Sequence, residues 1–143
     1  FIAGIGTGGT IMGTTRRLKE LNPSIQGYAL EPKEELHGLE GLKHMGSSIV
    51  PGIYKEEQLD GKISVSTDDA YDMVETLEKK EGILAGQSSA AALCGALELA
   101  RRIKKGVIVT VFPDSCDRCY VNFGKFKEYY EQNQSHKLPK ADG

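Results

Sequence analysis

The chain has 143 residues, of which 39% are hydrophobic and 27% charged, and its net charge is −2. This length can bury a core without disulfides or a metal, and the balanced charge gives no basic surface for nucleic acid. No apolar stretch is long enough to cross a membrane, and the three cysteines favour a reducing compartment, so we expect a cytoplasmic protein without a leader peptide.

The N-terminal residues predict one β-loop-α-β unit. Residues 1–5, FIAGI, form a short apolar run, as in a strand covered on both faces. A loop rich in glycine and threonine follows, then a helix over 10–22 that ends before Pro23, and a second strand over 25–31. This order predicts a parallel sheet. Because the chain opens inside a buried strand, we expect it to be a fragment of a longer protein.

The central residues predict a loop, a strand and two helices. Residues 32–54 are rich in glycine and proline and predict a long loop, and 62–66 predict a strand. Residues 67–82 have Thr67 as a helix cap, acids in the first turn, lysines in the last turn and glycine beyond. Residues 88–106 are rich in alanine and leucine, which predicts a buried helix.

The C-terminal residues complete the predicted fold. Residues 107–112, VIVTVF, are the strongest strand prediction, because six apolar or β-branched residues lie between a glycine and a proline. The stretch NFGKFKEYYEQNQ predicts a helix, and residues 133–143 a flexible tail. We therefore expect a single α/β domain over residues 1–132, doubly wound, with a mainly parallel sheet and helices on both faces.

The loop between the first strand and the first helix predicts a phosphate site. Its glycines and threonines are Gly6, Thr7, Gly8, Gly9 and Thr10. Such a turn directs several backbone N–H groups to one place at the positive end of the helix dipole, and the threonine hydroxyls can donate further hydrogen bonds. The glycines could equally serve a tight corner alone. A dinucleotide site also stays open, since Glu31 has roughly the spacing of a ribose-binding acid.

Three motifs in the right order carry a resemblance to a known family. They are GTGGT at 6–10, EGILAGQSSAAAL at 81–93 and VTVFPDSCDRCY at 109–120. Together they resemble the C-terminal part of fold type II pyridoxal-phosphate enzymes of the cysteine synthase and cystathionine β-synthase family. The resemblance covers residues 1 to about 123. It implies two α/β domains with pyridoxal 5′-phosphate between them, a homodimer, and the loop at 6–10 as the cup for the cofactor phosphate.

The second motif places a serine at the cofactor ring. Ser88 matches the position at which the family hydrogen-bonds the pyridine nitrogen. A neutral hydroxyl partner would leave that nitrogen largely unprotonated, which suits β-elimination from an activated serine. The alternative is that Ser88 and Ser89 cap the helix that begins there. Ala90 stands where the family favours glycine.

The third motif follows the predicted strand 107–112. The resemblance places Pro113 and Asp114 near the cofactor, and Ser115, Asp117 and Arg118 also match the family pattern. Cys116 and Cys119 depart from it, since the family has glycine and tyrosine there. A C-x-x-C pair can be a redox pair, half of a zinc site, or two small semi-buried residues. A second pair of ligands is not evident at Cys94, His37 or His44, so we expect no metal.

Two residues are candidates for substrate binding. Gly46 is kept where many cysteine synthases carry a Gln-Gly-Ile-Gly run, although the surrounding EGLKHMGSSIVPG departs from that run. Lys33 lies where relatives that use O-phosphoserine have an arginine, so a phosphorylated substrate is one reading and an exposed lysine without a role is the other.

The resemblance also implies what the chain lacks. The lysine that forms a Schiff base with the cofactor lies in the N-terminal half of the family, so we assign no catalytic residue here and expect the fragment alone to be inactive. The whole protein is expected to be a cysteine synthase, a transferase that replaces the acetate or phosphate of an activated serine with sulfide to give L-cysteine. The alternatives are a cystathionine β-synthase-type lyase, a nucleotide- or anion-binding domain, and a redox or zinc module.

Overall fold

A computed structural model describes residues 1–115. The elements in chain order are strand β1 (Ile2–Gly4), helix α1 (Gly9–Leu21), strand β2 (Tyr28–Pro32), a short 3-10 helix (Glu56–Gln58), strand β3 (Gly61–Val65), helix α2 (Thr67–Glu81) and helix α3 (Gln87–Arg102). The predicted C-terminal helix, the predicted tail and the Cys116/Cys119 pair lie outside the described residues.

The three strands form a parallel sheet in the order β1-β2-β3. Ala3 is in register with Ala29, and Leu30 with Ile63. The predicted strands at 1–5 and 62–66 are confirmed within a residue or two. The second strand begins at Tyr28, three residues later than predicted. The parallel sheet and the α/β class are therefore as the sequence predicts.

Helices cover both faces of this sheet. Because side chains alternate along a strand, Ile2, Leu30 and Ile63 share one face, and they pack against the α3 residues Ala91 and Leu99. The opposite face carries a second core cluster that includes residues of α1: Ala3, Ile5, Ile11, Met12 and Ala29. Helix α2 packs on the outer side of α3, through Val74, Leu77, Ala85 and Ala90.

The start of helix α2 differs by one residue from the prediction. The N-cap is Ser66, whose hydroxyl oxygen accepts from the Asp69 N–H at 3.1 Å. Thr67 is completely buried, and its hydroxyl oxygen accepts from the Gly38 N–H at 3.2 Å, which ties α2 to the loop before β3. The end of the helix at Gly82 is as predicted.

The predicted strand over 107–112 is wrong. The segment lies beside β1, where the Ile2 N–H donates to the Val109 carbonyl at 3.0 Å. The Ile2 carbonyl accepts a hydrogen bond from the side-chain hydroxyl of Thr110 at 2.9 Å. In a regular parallel ladder this carbonyl would accept from a backbone N–H of the neighbouring strand instead. Val107 is 89% exposed and Val109 54% exposed. Apolar and β-branched composition alone does not make a strand when one side of the segment has no partner within residues 1–115.

Helix α3 also ends four residues before the predicted limit of 106, because Ile103 leaves the helix in an extended conformation and packs against the core. The long connection after β2 is confirmed, since residues 33–55 contain no helix or strand. Across residues 1–115, no helix is both long and apolar enough to span a lipid bilayer.

Candidate functional site

The loop between β1 and α1 ends at an uncapped helix terminus. Gly8 is the N-cap of α1 with φ +88°, and no side chain caps the helix there. An α-helix leaves its first backbone N–H groups without partners inside the helix. These groups carry the positive end of the helix dipole, so the start of α1 is suited to an anion.

The loop is held tightly against its neighbours. The Ile5 N–H donates to the Leu30 carbonyl, and the Ile5 carbonyl accepts from the Lys43 N–H, both at 2.8 Å. A Cβ atom at Gly6 would lie 2.6 Å from the Gly41 carbonyl oxygen, which leaves no room for a side chain. The backbone of the loop therefore packs directly against the turn that contains Gly41.

This surface is one wall of a cleft of about 540 Å³. The cleft lies between the loop, the turn at 40–42, the start of α3 and the segment 111–114. Its lining residues are Ala3, Gly4, Gly6, Thr7, Gly8, Gly9, Thr10, Glu40, Gly41, Leu42, Gln87, Ser88, Ala92, Val111, Pro113 and Asp114. The structure thus brings together the five loop residues, Ser88, Pro113 and Asp114, although they were predicted from three separate motifs.

Two predicted substrate residues do not line this cleft. Lys33 is exposed at the end of β2, where its backbone N–H donates to the Val65 carbonyl at 2.9 Å. Gly46 lies in an exposed turn beside His44. The sequence does not predict that the turn at 40–42 lines the cleft, because nothing in its residues shows that the long loop returns to the start of α1.

Asp114 connects the third motif to the start of α3. The Ser88 hydroxyl donates to Asp114 Oδ2 at 2.8 Å, and the Ser89 N–H donates to Asp114 Oδ1 at 3.1 Å. The Ser89 hydroxyl bonds the same carboxylate oxygen. The N-cap of α3 is Gly86, without a side-chain cap bond, so the alternative that the serines cap this helix is wrong. A carboxylate from a distant segment takes that place.

The cleft has no cationic side chain among the residues of 1–115 that line it. Its titratable lining groups there are Glu40 and Asp114. An anion would therefore be held by backbone N–H groups, by the helix dipole and by the hydroxyls of Thr7 and Thr10.

Glu31 does not line the cleft. Its carboxylate is buried in the sheet face that meets α1, where it accepts from Lys62 Nζ at 3.0 Å and from the Met45 N–H at 3.0 Å. Its carboxylate is thus committed to structural partners, and the spacing that kept a ribose-binding role open finds no support in the geometry.

Residues 1–115 contain no cluster of three or more histidines, cysteines or acids placed to hold a metal ion. Cys94 is a free thiol in α3, and burial, reinforced by the charge of Asp69, raises its pKa to about 11. His37 is partly buried, and this burial, with the neighbouring charge of His44, lowers its pKa. The C-x-x-C pair lies beyond the described part of the chain.

Comparison with known proteins decides the family. The family described as "Pyridoxal-phosphate dependent enzyme" matches residues 1–114. The chain belongs to this family. Pyridoxal phosphate is the cofactor of this family. The uncapped start of α1 offers an anion site that fits the phosphate of this cofactor.

The relatives of this pyridoxal-phosphate dependent chain include cysteine synthases. A cysteine synthase of Aquifex aeolicus is 56% identical over 122 residues, which are 82% of this chain and 37% of the relative. An O-acetylserine dependent cystathionine β-synthase of Bacillus subtilis is 39% identical over 140 residues, 92% of this chain and 43% of the relative. The crystal structure of an O-acetylserine dependent cystathionine β-synthase from Helicobacter pylori matches with a TM-score of 0.76 at 36% identity, over 85% of this chain and 42% of that one.

These comparisons also fix the extent of the match. The chain spans about two fifths of the length of the curated relatives it matches. The neighbours are fold type II pyridoxal-phosphate enzymes, as the resemblance implies.

Proposed function

We propose that this chain is the phosphate-binding portion of a pyridoxal-phosphate dependent cysteine synthase. The observation that carries the proposal is the uncapped start of α1, which faces the same 540 Å³ cleft as Ser88 and Asp114. The cleft combines an anion site with polar side chains at a second wall, which is what a phosphorylated aromatic cofactor requires.

The residues of the chain would divide the binding of the cofactor between them. The N–H groups at the start of α1, with the hydroxyls of Thr7 and Thr10, bind and orient the phosphate. Ser88, which lines the cleft, would hydrogen-bond the ring nitrogen, and Pro113 would form part of the wall beside the ring. Pyridoxal phosphate, when bound, supplies the electron sink that lets a substituent leave the β-carbon of an amino acid.

The chain by itself would not catalyse the reaction. No lysine lines the cleft among residues 1–115, whereas a pyridoxal-phosphate enzyme needs a lysine both to hold its cofactor and to move the α-proton of the substrate. We propose that this lysine belongs to the portion of the relatives that lies outside the match with this chain. We call the protein that joins both portions the parent protein. Its cytoplasmic location and its assembly as a homodimer stay predictions.

The substrate we propose is O-acetylserine, with sulfide as the nucleophile and L-cysteine as the product. The name of the Bacillus subtilis relative includes O-acetylserine, and the Lys33 side chain, the candidate for binding a substrate phosphate, does not line the cleft. The same name supports a second candidate, a cystathionine β-synthase-type lyase, in which homocysteine replaces sulfide.

Absorption spectroscopy on the parent protein tests this proposal. We expect the purified protein to absorb in the visible range as lysine-bound pyridoxal phosphate does, and the band to shift when O-acetylserine is added. Product analysis with sulfide or with homocysteine then separates the two candidates. A colourless protein that pyridoxal phosphate cannot convert, but that binds adenine nucleotides in a titration, would contradict the proposal and favour a nucleotide-binding domain.

A further inference from the structure

We propose that His37 is a positioning residue for the cleft, acting through Leu39 on the turn at 40–42. Its neutral imidazole accepts the Leu39 backbone N–H, and protonation of the ring withdraws this acceptor and loosens the turn. Because the turn lines the cleft, we expect cofactor binding to weaken as the pH falls. The part of this inference that concerns the cofactor rests on the proposed function.

Leu39 anchors the start of the turn. Its side chain is completely buried in the core cluster that contains residues of α3. Its carbonyl accepts from the Leu42 N–H at 3.1 Å, which closes the turn, and Gly41 within it has φ +82°, a conformation that glycine adopts readily. The Leu39 N–H donates to His37 Nδ1 at 3.2 Å. His37 thus supplies the acceptor for a buried N–H directly before the turn.

The turn in turn contacts the loop that begins α1. All three residues at 40–42 line the cleft. The Gly41 carbonyl oxygen lies so close to Gly6 that a Cβ atom there would be 2.6 Å from it, and the Lys43 N–H donates to the Ile5 carbonyl at 2.8 Å. A displacement of the turn would therefore change the wall of the cleft and the support of the loop to which the proposed function assigns the phosphate.

The bond from Leu39 depends on the protonation state of His37. A neutral imidazole has one nitrogen that accepts a hydrogen bond, whereas both nitrogens of an imidazolium donate. Nδ1 is the accepting nitrogen here, so protonation would set two N–H groups against each other and leave the Leu39 N–H without this acceptor. A buried donor that loses its partner destabilises the conformation that buries it.

The groups around the ring favour its neutral form. Burial, with the neighbouring charge of His44, lowers the pKa of His37, and the charge of Glu34 opposes this effect. Helix α2 faces the same segment with the Tyr71 hydroxyl, which donates to the Gly38 carbonyl at 3.2 Å. The support that the neutral ring gives to the turn is complete above the ordinary histidine pKa of about 6.5. It is lost as the pH falls through the lowered value.

Hydrogen exchange in the parent protein tests the inference. Exchange is followed by mass spectrometry on peptides that contain Leu39, at about pH 8 and about pH 5, on either side of the ordinary histidine pKa. After correction for the intrinsic pH dependence of exchange, we expect the protection of this segment to fall about fivefold or more at the lower pH. Equal protection at the two pH values would overturn the inference.

His37→Asn is the conservative variant. An asparagine side-chain oxygen accepts the N–H two residues further on, as in an Asx turn, and it does not titrate. We expect this variant to keep its protection at both pH values. His37→Leu removes the acceptor and should show weak protection at both. Pyridoxal phosphate affinity, from equilibrium titration of the same variants, should follow the same order, and the titration of the cofactor itself is common to all of them.

His44→Asn is the matched control, since it removes the other imidazole of the same loop, which pairs with Ser47 and not with the turn. We expect it to keep the fall in protection, with a midpoint at higher pH because the charge that lowers the His37 pKa is gone. If His44→Asn abolishes the fall, or His37→Asn retains it in full, the inference is wrong. A wild-type affinity for the cofactor that falls no more than that of His37→Asn refutes the link to the cleft. A parent protein that does not bind the cofactor refutes the proposed function, while the exchange data still decide the role of His37.

Discussion

The left-handed backbone at Gly8 makes a quantitative test of the loop. A non-glycine residue in the left-handed helical region costs about 1–2 kcal/mol. A Cβ atom at Gly8 has ordinary room, since its nearest neighbour is the Tyr54 Cβ at 3.4 Å. The cost of Gly8→Ala is therefore backbone strain and not collision.

Gly13 supplies a matched comparison within the same helix. A Cβ atom there would meet nothing within 4 Å, and Gly13 does not line the cleft. Replacing glycine by alanine reduces the entropy of the unfolded chain by a similar amount at both positions, so this contribution cancels when the two variants are compared. Gly13→Ala should stabilise the chain by about 0.5–1 kcal/mol, because alanine is the better helix residue.

Urea denaturation of the chain gives the free energy of unfolding for each variant. We expect Gly8→Ala to lie below Gly13→Ala by at least the strain of about 1–2 kcal/mol. Equal unfolding free energies for the two variants would refute the reasoning, because the positive φ would then carry no cost.

Three further predictions follow from other parts of the structure. Glu31→Gln removes the buried charge that pairs with Lys62, and we expect a loss of about 1–3 kcal/mol in the free energy of unfolding, read from urea denaturation; no measurable loss would contradict the assigned burial. Because burial raises the pKa of Cys94 to about 11, its thiolate is scarce at neutral pH, and its alkylation, followed by peptide mass spectrometry, should be slow at pH 7 and accelerate as the pH rises towards 11. Thr10→Val in the parent protein should weaken pyridoxal phosphate binding by about 1.5–3 kcal/mol, measured by equilibrium titration, while Thr14→Val, outside the cleft on the same helix, should leave it unchanged.

The sequence predicted the helices well because their signals are local. Helix α2 is bounded by a hydroxyl residue, acids in its first turn and a glycine at its end, all of which lie within the helix or beside it. The local sequence does not show whether Ser66 or Thr67 is the N-cap, since both side chains carry a hydroxyl. What decides it is that Thr67 binds Gly38, a contact with a loop that is distant in sequence.

The strand prediction at 107–112 failed for a related reason. A strand is defined by its partners, and composition does not show whether both edges are paired. The cleft contains the predicted loop residues, Ser88, Pro113 and Asp114, but not the predicted Lys33 and Gly46, and the sequence does not show the hydrogen bonds within it. Ser88 and Asp114 were both assigned to the cofactor, yet the hydrogen bond between them joins positions 26 residues apart. Only the packed structure shows that contact.

The most direct test of the central claim is a crystal structure of the parent protein with pyridoxal phosphate. We predict electron density for the phosphate at the start of α1, within hydrogen-bond distance of the backbone N–H groups that follow Gly8, and density for the ring beside Ser88. Cofactor density at another site, with the loop at 6–10 making no contact to a phosphate, would contradict the account.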